Sequence, residues 1–139
     1  MTTTAFPSDV RLRKPAMQRI GSSISVLVVM ALLADAAMQL MAIPSIIDAA
    51  RELGWPASAD LWRGIGALLL VATILYAIPH TAFFGAILIT GFLGGAIASH
   101  VRAGGSMAGP IVAALVLATL AWGGLWMRDA NVRALVRRA

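Results

Sequence analysis

The chain has 139 residues, 60% of them hydrophobic and only 12% charged, with a formal net charge of +5. A mean hydropathy of +0.86 and about half the charged fraction of a soluble domain define a single integral membrane domain. The absence of cysteine excludes thiolate chemistry, and basic residues at the ends of apolar runs, with no interleaved aromatics, point to anionic lipid and not to nucleic acid.

Residues 1–23 form a polar, basic tail carrying Arg11, Arg13, Lys14 and Arg19. Pro7 and Pro15 argue against a long helix there. The apolar run 24–43 is too long for a signal-peptide core, no small-x-small cleavage site follows it, and it reads as the first membrane span. It contains Asp35 and, one turn later, Gln39, and Pro44 ends or kinks it because proline disfavours helix just before itself. From Pro44 to Leu53, Ile46, Ile47, Ala50 and Leu53 alternate with Asp48, Arg51 and Glu52 at helical spacing. This predicts a short amphipathic segment at the interface, stopped by Gly54 and Pro56, with Trp55 and Trp62 as interfacial aromatics.

The second span is 61–78, with Arg63 snorkelling at its edge. Residues 77–81 are too few for anything but a tight antiparallel turn, and 82–99 is the third span. Gly104, Gly105, Gly109 and Pro110 predict a loop, with Pro110 suited to the first turn of the fourth span, 111–127. Residues 128–139 are a second basic tail with Arg128, Arg133, Arg137 and Arg138. Trp122, Trp126 and an Arg128–Asp129 ion pair would mark the fourth helix end, and Gly123 and Gly124 suit close packing.

The expected fold is therefore an all-α membrane protein: an antiparallel bundle of four transmembrane helices, with an interfacial amphipathic segment between spans one and two. The two tails hold eight of the eleven Lys and Arg residues, while the first and third loops hold Arg51, Arg63 and Arg102. The positive-inside rule then places both termini in the cytoplasm. Packing is expected from the third span, where Gly91, Gly95 and Ser99 form a small-xxx-small row and Gly85 lies further back. Lipid supplies no hydrophobic drive between helices, so close contact across small residues is a main source of association. A contact inside the bundle is preferred here over a self-dimer face.

The run LYAIPHTAFFGAILITGFLGGAIASHVRAG and the later WGGLWMRDANVRAL resemble the DoxX-like family of small four-span bacterial membrane proteins. Asp35 and the stretch Glu52-Leu-Gly-Trp-Pro56 agree more loosely. The resemblance covers most of the chain beyond the N-terminal tail. It implies a four-helix bundle in the bacterial inner membrane, usually without an assigned activity. Relatives bearing the DoxX and DoxD names are associated with quinone-linked sulfur oxidation or with oxidative-stress membrane complexes. Two positions depart from the family pattern: His80 stands where arginine follows the turn proline, and Gln39 where lysine often follows the first-span acid.

Asp35 is the sharpest candidate for chemistry. Counted from Ile24 it lies about 16 Å into the span, where a charged carboxylate costs on the order of 3 kcal/mol. Its functional reading is a proton-handling or ligand-binding acid; its structural reading is a neutral acid bonded to a neighbouring helix, with Gln39 on the same face and Thr90 or Thr119 at similar depth. Asp35, Gln39, His100 and Arg102, with Glu52 nearby, would form a polar pocket in the outer half, able to hold a quinone head group or pass protons. The plainer reading makes His100 and Arg102 interfacial anchors. His80 reads as a cap or head-group contact, and two histidines at opposite ends of one span cannot share a metal. No nucleophile, metal or cofactor constellation appears, so catalysis stays open and quinone is the one cofactor in view. An accessory or scaffold subunit of a membrane complex ranks first, with partner subunits or further copies of itself. A quinone- or lipid-binding oxidoreductase subunit ranks second, and a small proton-coupled transporter third.

Overall fold

The computed structural model describes residues 9–104 and 108–138. Residues 1–8 of the expected tail and Gly105 of the expected loop lie outside the described residues. Six helices follow in order: α1 (Asp9–Leu40), α2 (Pro44–Glu52), α3 (Ala59–Ala77), α4 (Ala82–Ala103), α5 (Ala108–Arg128) and α6 (Ala130–Arg138). Ala16–Leu40, Ala59–Ala77, Ala82–Ala103 and Gly109–Arg128 are long and apolar enough to cross a membrane. At 1.5 Å per residue they reach about 28 to 38 Å, which matches a hydrocarbon core. α1 packs on α3 and α5, and α4 packs on the same two helices. The result is an up-and-down bundle with α1 and α4 on one diagonal. Val28, Leu32, Ala36, Leu69, Ala72, Ile89, Ala121 and Leu125 fill its centre, while Leu27, Leu68, Phe84 and Leu115 stay exposed, as lipid-facing side chains should be.

The helix boundaries have local causes. α1 stops at Leu40, Ala42 turns into the left-handed region at φ 46°, and Pro44 opens α2 at its first turn. α2 ends in a Schellman motif: Gly54 takes φ 75°, its N–H donates to Arg51 O at 2.9 Å, and the Trp55 N–H donates to Ala50 O at 2.9 Å. Ser58 caps α3 by accepting from the Leu61 N–H at 3.4 Å. Gly104, at φ 71°, closes α4.

Two expectations about the tails differ. α1 begins at Asp9 and runs through Pro15, where the proline forfeits one intrahelical hydrogen bond. The second tail is helical over Ala130–Arg138. Asp129 does not pair with Arg128; it caps α6, its Oδ1 accepting from the Asn131 N–H at 2.8 Å.

The end of the bundle that holds both termini is cross-linked between helices. The Tyr76 hydroxyl donates to Ala121 O at 2.7 Å and lies 3.1 Å from Ser25 Oγ, joining α3, α5 and α1. Arg128 donates to Tyr76 O at 2.6 Å, with its guanidinium carbon 4.8 Å from the Tyr76 ring centroid. Nearer the middle, Trp122 Nε1 donates to Thr90 Oγ1 at 2.9 Å. Gly124 sits against α1, where a Cβ would approach Ser25 Oγ to 2.8 Å, whereas Gly123 has nothing within 4 Å. At the opposite end, which carries α2, the bond from Arg102 to Leu53 O at 2.7 Å joins the two loop-facing segments.

Candidate functional site

Between α1, α3 and α4, at the α2 end, lies a cleft of about 790 Å³. That falls within the usual size of small-molecule sites. α1 contributes Asp35 and Gln39, α2 its apolar face of Ile46, Ala49, Ala50 and Leu53, α3 Trp62, Ile65 and Leu68, and α4 the strip Gly91, Phe92, Gly95, Ala96, Ser99 and His100. The geometry follows from helical spacing. Asp35 and Gln39 are one turn apart on α1, and Gly91, Gly95 and Ser99 recur every four residues on α4, so each set shares a face.

The helix ends place Asp35 differently from a count starting at Ile24. α1 ends at Leu40, so Asp35 lies only about 8 Å from that end by helical rise. His100 is similarly close to the end of α4 at Ala103, and the two residues face one cleft at heights that differ by less than one turn. Asp35 is half-buried and, among the described residues, makes no ion pair or side-chain hydrogen bond. Thr90 and Thr119, its expected bundle partners, donate instead to their own helices at Ala86 O and Leu115 O, each at 2.8 Å. Gln39 is buried at 5% exposure and its Oε1 has no partner. Trp62 Nε1 is likewise buried without one. Orphaned polar atoms at one cavity are uncommon, since most buried groups are bonded.

Arg102 is not part of the lining. Its guanidinium is turned to Leu53 O and the end of α2. Glu52 is exposed outside the cleft, and His80 is exposed in the turn between α3 and α4. The α4 glycines divide. Gly85 packs against α3, where a Cβ would overlap the Tyr76 backbone nitrogen. Gly91 and Gly95, expected as packing residues, have no heavy atom within 4 Å of the position a Cβ would take, and with Ser99 they form the cleft wall. Their small size keeps the cavity open and brings no helix closer.

In the sequence Trp62 reads only as an interfacial aromatic, and Phe92 carries no signal beyond being apolar. Trp55 stacks edge-on to Trp62 with ring centroids 6.4 Å apart and also borders the cleft. Asp60 sits at the mouth, 93% exposed and paired with Arg63 at 3.2 Å.

These features define a multi-pass membrane protein with an apolar cleft between helices and a sparse set of polar groups in it. Residues 23–124 match the DoxX-like family. The match covers most of the chain, and the protein belongs to the DoxX-like family. No curated protein and no solved structure gives a significant match.

Proposed function

We propose that this protein binds a small amphipathic molecule drawn from the bilayer, holding it in the cleft between α1, α3 and α4. The observation that carries this reading is a 790 Å³ apolar cavity with Asp35, half-buried and without an ion pair, in its lining. A ligand head group would supply Asp35 with the partner it lacks among the described residues. The reading supplies chemistry for either of two settings: a quinone- or lipid-binding subunit of a redox-linked complex, or a carrier that uses Asp35. The charge distribution supports an orientation with both termini in the cytoplasm of a bacterial inner-membrane protein and the cleft in the outer half.

The test is native mass spectrometry of the protein extracted gently from its own membrane, beside Gly95→Leu. That substitution should fill the cleft without disturbing the bundle, because nothing lies within 4 Å of the Gly95 Cβ position. The expected result is an added small-molecule mass in the wild type that is lost in Gly95→Leu at unchanged thermal stability. Stoichiometric companion proteins without a small ligand would instead support an accessory or scaffold subunit.

A further inference from the structure

The cleft has a charge imbalance, and resting on its reading as a ligand site, we infer that it selects an amphiphilic organic cation. Asp35 is the only acid of the lining that lies within the bundle and has no counter-charge among the described residues. The arginines at this end of the bundle are engaged elsewhere: Arg51 pairs with Asp48 at 3.1 Å, Arg63 pairs with Asp60 at 3.2 Å and Arg102 donates to Leu53 O at 2.7 Å. No lysine or arginine lines the cavity, and His100 is its one titratable base. The second observation is Gln39, one turn from Asp35, 5% exposed, with its Oε1 unpartnered. Asp35 lines the cleft as an acid without a counter-charge, and it suits a positively charged ligand.

The remaining walls fit the same ligand. Trp55, Trp62 and Phe92 are among the lining, and aromatic side chains suit a cation and its apolar body. The Gly91–Gly95 strip leaves room for a broad group directly against the α4 backbone. An anion would face Asp35 with no lysine or arginine in the lining to hold it. A lipophilic cation answers both the charge and the apolar volume.

The experiment compares tetraphenylphosphonium with tetraphenylborate, ions of nearly equal shape and opposite charge, and with a short-chain ubiquinone. Each is titrated into the full chain in zwitterionic nanodiscs while tryptophan fluorescence is followed. Saturable binding of the phosphonium at one site per chain is expected, with at least tenfold weaker binding of the borate. Asp35→Asn should weaken the phosphonium at least tenfold, and Asp35→Glu should restore most of the loss. If Asp35→Asn fails to assemble, Asp35→Glu and Gly95→Leu carry the test, since the first should keep binding and the second should abolish it. Equal binding of both ions, or phosphonium binding indifferent to position 35, overturns the inference. Saturable ubiquinone binding without phosphonium binding also overturns it, yet leaves the cleft a ligand site. Saturation by none of the three overturns both readings.

Discussion

Replacing Gly85 with alanine separates the glycine that holds the bundle from those that line the cleft. A Cβ at position 85 would lie 2.5 Å from Tyr76 Cα and 2.7 Å from the Leu75 carbonyl carbon, against about 3.5–4.0 Å for comfortable carbon contacts. Both obstacles are backbone, so α4 must move away from α3 by about 1 Å. Overpacking of this kind costs about 1–3 kcal/mol, and backbone obstacles favour the upper end. Alanine's better helix propensity returns about 1 kcal/mol, leaving a net loss of about 2 kcal/mol. Equilibrium unfolding in mixed micelles, with Gly95→Ala beside it, reads the difference. Gly95→Ala meets no atom within 4 Å and should be neutral or stabilising by up to about 1 kcal/mol. Equal losses in the two variants, or a larger loss at Gly95, would refute the rotation of α4 on which the cleft depends.

Tyr76→Phe should lower the unfolding free energy by about 1–2 kcal/mol, since it removes the hydroxyl bonded to Ala121 O and leaves Ser25 Oγ without that neighbour; the same micelle titration measures it. Arg102→Ala removes the bond to Leu53 O. It should change global stability by less than about 1 kcal/mol, because the contact is exposed. Amide hydrogen exchange over residues 44–54 should nevertheless accelerate, while the α3 core near Leu69 stays protected.

The spans were legible because nothing but a bilayer or another helix can cover runs such as those in α4 and α5, and proline and glycine mark their ends. The α2 segment was legible for a related reason: Pro44 and Gly54 bracket a strict alternation of faces. The rotation of each helix was not. Gly91 and Gly95 form the familiar packing motif, yet Gly85, outside it, makes the close contact. Spacing identifies a face, but only the neighbouring helices decide what the face meets. The grouping of Asp35, Gln39 and His100 at one cavity was within reach of the sequence, since all lie near span ends on one side of the membrane. The role of Arg102 was not, because it depends on where the end of α2 lies. α6 had a readable start in Asp129, whose side chain caps it. Tyr76 also left a trace: a lone tyrosine inside an apolar span needs a partner for its hydroxyl.

The polar cross-links are unevenly distributed along the bundle. Ser25, Tyr76, Ala121 and Arg128 pin three helices together at one end, while at the far end Arg102 holds only the edge of α2. Hydrogen bonds thus tie one end, whereas close backbone packing holds the other, with Gly66 of α3 set against Ala36 and Gln39 of α1.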